Sequence, residues 1–230
     1  MALARTGLAE EPPPVPVTSV SGELVLHLAT GQDVVPGGIM IPASLRDDAK
    51  ERIEALVAGG VVLPEKPPLD RRGRVRSQIH AADGTWLQGD LVGRGLAAMA
   101  AVGDQDPAAL DQLLAIEGEA RAAKVGVWAA DVIGPQPATA VSAKEGEFVL
   151  VEGTVVAVGR GGEDVYLNFG QERRRDFTVR VRPEVAAVVK KAGLDLYSLE
   201  GRRIRVRGWV FDNGGPMIEI EQRADIEMLP

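Results

Sequence analysis

Between Arg203 and Val210 the chain reads RIRVRGWV, a run in which arginine or tryptophan alternates with small or aliphatic residues. A strand period of two puts Arg203, Arg205, Arg207 and Trp209 on one face and Ile204, Val206 and Val210 on the other. FTVRVR at 177–182 repeats the pattern, with Phe177, Val179 and Val181 opposed to Thr178, Arg180 and Arg182. In VYLNF at 165–169, Tyr166 and Asn168 oppose Val165, Leu167 and Phe169. If the apolar sets fill a barrel, its outside carries Tyr166, Asn168, Arg180, Arg182, Arg203, Arg205, Arg207 and Trp209. Guanidinium groups interleaved with flat rings suit single-stranded nucleic acid, pairing phosphates and stacking bases at about 1–3 kcal/mol each. Arg173-Arg174-Arg175, just before the 177–182 strand, would extend the patch. A second reading of the same face also stands. Residues 146–230 hold 13 Lys and Arg against 14 Asp and Glu, so this half is electrically balanced. Glu172, Asp176, Glu219 and Glu221 could pair with the arginines, leaving a solvated or protein-binding face on which an exposed Trp209 fits equally well.

The other chemistry-bearing stretch is LDRRGRVRSQI at 69–79, followed by the turn-rich AADGTWLQ and an Ala-rich helical pattern ending in VGVW at 125–128. A D-x-x-G-R run entering a strand, then DG, then L-V-x-x-G-L-A and a helix closing on tryptophan resembles the staphylococcal nuclease-like family. The residues that carry it are Asp70, Gly73, Arg74, Asp83, Gly84, Leu91, Val92, Gly95, Leu96, Ala97 and Trp128, over a span of roughly 18–130. The resemblance implies an oligonucleotide-binding (OB) type barrel with helices. It also implies a phosphodiesterase site in which carboxylates hold calcium, two arginines clamp the phosphate and a glutamate assists the attacking water.

Residue by residue, little of that site carries over. VVPGGIMIPA at 34–43 keeps Gly38, Ile39 and Pro42 of the family frame. Yet the first arginine position reads Val35, the carboxylate after Gly-Ile reads Met40, and the glutamate position reads Ala43. Ser21 and Glu23 stand where the family has two early aspartates, and only Arg74 remains of the reactive set. Calcium wants six or more oxygen ligands, some of them anionic, and Glu23 is the one anionic candidate. A lone arginine binds phosphate but cannot deprotonate water. Losing one preorganised group costs about 10²–10³ in rate, so a barrel lacking three or more of them is expected not to cut. Arg74 also has a plainer role open to it, bracing the Asp70 turn through an ion pair, with Asp70 a turn-former rather than an acid. Trp86 and Trp128 read as packing residues.

The elements that would position these groups are short. Extended runs are expected at 20–28, 32–42, 61–63 and 75–79. Helices are expected from Ser44 as N-cap to about 58, within 85–101, and over 107–127. Five strand-like runs follow at 148–158, 165–169, 177–182, 203–211 and 217–221, with a helix at 183–192 between the third and fourth. That is the order of a five-stranded OB barrel. This half resembles the OB-fold nucleic-acid-binding domains found beside nuclease-like domains in some bacterial proteins. The expected fold is therefore mainly β with helices, as two tandem OB-type barrels. Residues 1–17 form a flexible Pro-rich lead, 18–130 a nuclease-like domain, 131–146 a linker and 147–230 an OB domain.

Composition narrows the function. A net charge of −7 argues against coating nucleic acid by bulk charge, so any contact must come from a local patch. Cysteine is absent, and His27 and His80 are too isolated for a zinc site and read as strand residues with local hydrogen bonds. No run approaches the roughly 18 apolar residues of a membrane span. Ala2-Leu3-Ala4 has the look of an A-x-A processing end, which would suit an exported protein, and nothing else bears on compartment. The expectation is a non-catalytic binding or scaffold protein that recognises single-stranded nucleic acid or a protein partner, without a small-molecule cofactor. The alternatives are a weak calcium-assisted phosphodiesterase using Arg74 and Glu23, and an accessory subunit of a larger, cell-envelope assembly.

Overall fold

Short β-branched runs punctuated by glycine and proline make short strands, and the computed structural model describes them over residues 12–64, 68–102, 105–129, 136–172 and 175–230. In the first half these are β1 (Val17–Val20), β2 (Leu26–Leu28), β3 (Asp33–Pro36) and β4 (Ile39–Met40), then helix α1 (Arg46–Val57) and β5 (Val61–Val62). After them come β6 (Val75–Ser77), β7 (His80–Ala81), α2 (Leu87–Gly93), β8 (Ala98–Met99) and α3 (Pro107–Ala122). One sheet runs β1-β2-β3-β6, antiparallel except for the parallel β3–β6 pair, and β4–β8 and β5–β7 are two-stranded ladders beside it. The whole is an OB-type barrel with helices packed on it.

The run 20–28, expected as one strand, is a hairpin. The Ser21 hydroxyl accepts the N–H groups of Glu23 and Val25 and turns the chain between β1 and β2. Ser44 does not cap α1; it lies in a 3₁₀ turn, Ala43–Leu45, and Leu45 precedes the helix without a side-chain cap. α3 is capped by Asp106, whose carboxylate accepts the Ala108 N–H, and stops at Ala122 rather than 127. It stops because the chain must cross Gly95. Gly95 and Gly126 both have positive φ, and the Gly95 carbonyl accepts the Val127 N–H at 2.9 Å. A Cβ on Gly126 would lie 2.2 Å from that carbonyl oxygen. The Pro-rich lead is not wholly free either: Val15 exchanges two backbone hydrogen bonds with Val61, while residues 1–11 lie outside the described residues.

In the second half, β9 (Gln136–Pro137) pairs in parallel with β10 (Phe148–Thr154), so the later part of the expected linker is built into the sheet; residues 130–135 lie outside the described residues. β11 (Ala157–Gly161), β12 (Asp164–Asn168), β13 (Thr178–Val181), helix α4 (Pro183–Lys191), β14 (Arg203–Asp212), β15 (Pro216–Ile220) and β16 (Ile226–Met228) complete the chain. The ladder order is β11-β12-β13-β15-β14-β10, with β13–β15 parallel and β16 added on β14. β10 and β11 are one run bent at residues 155–156, so the order leaves and returns on the same stretch, as in a five-stranded Greek-key barrel.

Each half has its own apolar core. Leu26, Ile53, Ile79, Leu91 and Leu110 centre the first, and Val151, Leu167, Phe177, Val206 and Ile218 the second. A third cluster joins them: Ala98, Ala120, Val127 and Trp128 of the first half close on Leu150 of the second, with Phe148 against its edge.

Candidate nucleic-acid interface

Period two holds along β14. Ile204, Val206 and Val210 are buried in the second core, and Arg203, Arg205, Arg207 and Trp209 lie on the opposite side. What covers that side corrects the expected arginine face. Cross-strand neighbours are acids. Glu152 of β10 is in register with Arg205 and accepts its Nε at 2.9 Å, and it takes Arg203 diagonally at 2.8 Å. Glu227 of β16 is in register with Arg205 from the other side, at 3.0 Å. Opposite charges directly across a ladder stabilise it, and here they also consume the field a phosphate would feel.

Arg207 is not at a surface at all. It is fully buried, and helix α3 of the first half lies over it. Its two terminal nitrogens donate to Glu117 of α3 at 2.8 and 2.9 Å; Nη1 also donates to the Met99 carbonyl, and Nη2 to Glu227. Burial opposes the charge, but Glu117 and Glu227 outweigh it and raise the guanidinium above its ordinary value. Glu227 is held down at about 2: burial raises it, and Arg207, Arg121 and Arg205 together win. The face expected to meet a ligand is thus partly an internal junction. Glu117 carried a readable signal. It falls on the same α3 stripe as Leu110 and Leu113, and a carboxylate on an apolar stripe demands a buried cation.

The remaining members of the set are dispersed. Arg180 is in register with Glu219 of β15 and ion-paired to it, and its guanidinium lies 5.8 Å from the Phe211 ring centroid. Arg182 pairs with Glu219 and Glu184. Tyr166 is half-buried with its hydroxyl 3.4 Å from Asp164, and Asn168, expected outside, is buried, its amide donating to the Ala157 carbonyl. Arg175 pairs with Glu172, and Arg173 and Arg174 lie outside the described residues. Trp209 alone keeps the expected character. It is 51% exposed, braced edge-on by Phe148 at 5.6 Å.

Among the described residues, a group of neighbouring arginines without ion-pair partners lies on the first half, in the loop that carries Arg74. Asp70 accepts the N–H groups of Arg72 and Arg74 and forms an ion pair with the Arg74 guanidinium at 2.7 Å. Burial would raise the Asp70 carboxyl, but these donors hold it at about 2. Arg74 thus braces the turn, as its plainer reading has it. The same turn throws Arg71 and Arg72 outward, with Arg76 beyond, and none of the three has an ion-pair partner among the described residues. They line a cleft of about 830 Å³ with Glu23 and Gln105 on the first half and Arg182, Val185 and Glu221 on the second. A neighbouring hollow continues past Glu23, His27, Asp33 and Arg46. Arg71, Arg72 and Arg76 stand in the stretch that singled out Arg74, and the sequence reading, which offered Arg74 the bracing role, gave these neighbours none.

Around Arg74 the carboxylates are few. Val35 is buried in β3, Met40 brings a thioether and Ala43 a methyl group. Glu23 is exposed at the cleft rim, Asp33 is engaged by His27 at 2.7 Å, and Asp70 by Arg74. No group of three or more His, Asp or Glu side chains gathers at one point among the described residues. His80 is exposed on β7, Trp86 donates its indole N–H to Gln78, and Trp128 is buried at the junction.

A barrel of OB type with three helices on it, an arginine-bearing turn before β6 and a Gly–Gly crossing behind α3 define the fold of the first half. Residues 44–130 match the family described as Staphylococcal nuclease homologue, which supports a staphylococcal nuclease-like domain in this part of the chain. The matched segment contains Arg74 and its free neighbours, whereas Glu23, Val35, Met40 and Ala43 precede it. No curated protein matches the chain. No helix is long and apolar enough to cross a membrane among the described residues.

Proposed function

We propose that this protein binds nucleic acid without cutting it, holding the phosphodiester backbone in the cleft beside the 70–76 turn. The observation that carries this reading is the set of Arg71, Arg72 and Arg76, which face an open cleft of a nuclease-like domain without carboxylate partners among the described residues. Each guanidinium that displaces a counterion from a phosphate contributes affinity that falls with salt. The donor set does not fit calcium: Glu23 is one monodentate or bidentate anion where six or more oxygens are wanted. With Ala43 at the water-assisting position and Arg74 held by Asp70, the residues present bind and orient a phosphate but do not activate water. In this reading the protein works without a cofactor, and its second barrel is an OB-type module fixed to the first.

One feature favours a second reading. Glu23 and Arg74 line the same two hollows, which is what a weak calcium-assisted phosphodiesterase would need. Two assays separate the readings. Fluorescence anisotropy against a labelled 20-mer should show binding at about 50 mM salt whose log–log salt slope falls by about one for Arg72→Ala and again for Arg76→Ala. Absence of binding at that salt ends the proposal. Calcium-dependent cleavage of denatured DNA that is lost in Arg74→Ala would replace it with the enzymatic one.

A further inference from the structure

The arginine cleft does not end at the first domain. Val102 and Glu221 line it and also line a second hollow of about 240 Å³ at the junction of the two halves. The two therefore share a wall. The walls of the second hollow are aromatic: Phe148, Trp209 and Phe211. Its charged members are Arg207, Glu219, Glu221 and Asp225. Glu219 is paired with Arg180 and Arg182, Arg207 with Glu117 and Glu227, and the Asp225 carboxylate accepts the N–H groups of Glu221 and Gln222 at 3.0 Å each. A hollow whose Arg207 and Glu219 are already ion-paired offers little to a free anion, but it offers flat apolar faces to a neutral ring. One polar atom is left over: the Nε of Arg207 is buried without a hydrogen-bond partner.

From this we infer that the ligand is a single strand, whose phosphates lie along Arg71, Arg72 and Arg76 and one of whose bases stacks on Trp209 in the junction hollow. The inference rests on the reading that the cleft binds nucleic acid and adds which form of it binds and where a base goes. Charge and stacking are divided between the domains. The first supplies cations without aromatics, and the second supplies aromatics whose nearby cations are neutralised. A duplex keeps its bases paired and stacked internally, so Trp209 has no base face to meet. A single strand presents bases of any sequence to an aromatic platform. The buried junction, with α3 over β14, is what holds the two parts of the track in register.

The test is titration of the full chain with dT20, rU20 and a 20-base-pair DNA duplex, read by anisotropy and by tryptophan fluorescence. Trp209 is the exposed indole, whereas Trp128 is buried and Trp86 half-buried against the core, so quenching reports on Trp209. Expected are quenching by dT20, by rU20 or by both, none by the duplex, and no quenching in Trp209→Leu. Trp209→Leu should weaken single-strand binding roughly 5- to 100-fold, the equivalent of one stacked base, while leaving the salt slope unchanged. Trp209→Phe, which keeps a ring on the same brace, should recover most of that loss. Salt-dependent binding that Trp209→Leu does not alter, or equal binding and quenching by the duplex, overturns this inference and leaves the cleft proposal standing. So does a lysine-rich peptide that quenches Trp209 more tightly than either oligonucleotide, since the hollow would then be a cation cage. Failure of every oligonucleotide to bind overturns both.

Discussion

The guanidinium of Arg207 on β14 meets the carboxylate of Glu117 on α3 through parallel contacts of 2.8 and 2.9 Å, with neither side chain exposed. Ninety residues separate them in sequence, and the pair ties the two halves together. Breaking such a pair leaves the buried Glu117 with only its longer 3.3 Å ion pair to Arg121, a loss of about 3–5 kcal/mol and far more than an exposed pair contributes. Arg207→Ala should therefore lower the melting temperature by roughly 10 °C for a chain of this size. Arg207→Met combined with Glu117→Leu should lose less than the two single changes summed, because no lone charge remains. Thermal denaturation followed by circular dichroism checks this, and a melting point for Arg207→Ala within a degree of the parent's would show that the junction is not held by this pair.

Arg205 separates the paired face from the open cleft. Its guanidinium is shared between Glu152 and Glu227, each directly across a ladder. Arg205→Glu would set three carboxylates side by side, a loss of roughly 2–4 kcal/mol in stability. At a temperature where the variant is folded, oligonucleotide affinity should stay within about twofold of the parent's, since no phosphate reaches that arginine. Loss of binding in folded Arg205→Glu would move the interface back to β14.

Stability should peak in mild acid. Burial lifts the Asp225 carboxyl from 3.8 to about 7, against the pull of the Gln222 and Glu221 N–H groups and Arg207. An acid that holds its proton more tightly folded than unfolded makes the folded state lose ground as pH rises from about 4 to 7, by a few kcal/mol. Glu227 has the opposite sign. Held at about 2 instead of 4.5, its contribution is complete above 4.5 and lost as pH falls towards 2. Urea denaturation at intervals between pH 3 and 8 should show both slopes. Asp225→Asn should remove the decline above pH 4 and leave the acid limb. A decline that persists unchanged in that variant would assign the upper slope to another group.

Much of this was legible. The alternation in RIRVRGWV puts Ile204, Val206 and Val210 in the core and the arginines opposite, as period two requires. The strand–strand–strand–helix–strand–strand order of the second half follows from its turns. Three things were not legible. Strand period says which side a residue faces and not what covers that side, so Arg207 gave no sign of lying under α3. The acids that neutralise Arg203 and Arg205 are register partners, and register depends on closure of the barrel; Glu152 and Glu227 become neighbours only once β10 and β16 flank β14. Ser44 looked like a helix cap, yet the turn it occupies closes on the Pro42 carbonyl and starts the helix two residues later. In the 70–76 turn, by contrast, the order D-R-R-G-R offers Arg74 as the cation for Asp70, and the positive φ of Gly73 brings it there.

The Gly95–Gly126 crossing gives the sharpest local prediction, because a neighbouring glycine supplies its control. Both residues hold positive φ, and a Cβ on Gly95 would stand 2.4 Å from the Val125 carbonyl oxygen, a backbone atom that cannot swing aside. Strain from the left-handed backbone costs an alanine about 1–3 kcal/mol, and the overlap adds to it by forcing apart the α3 terminus and the α2–β8 turn. Gly118, in the middle of α3, has ordinary helical geometry and nothing within 4 Å of where its Cβ would go. Alanine there removes freedom from the unfolded chain and should stabilise by about 1 kcal/mol. Gly95→Ala and Gly118→Ala should therefore move the melting temperature in opposite directions, by the same chemical change. The first should also loosen the Val127 and Trp128 contacts with Leu150, since these follow directly from the crossing. If both variants melt at or above the parent's temperature, the two turns do not cross as closely as described.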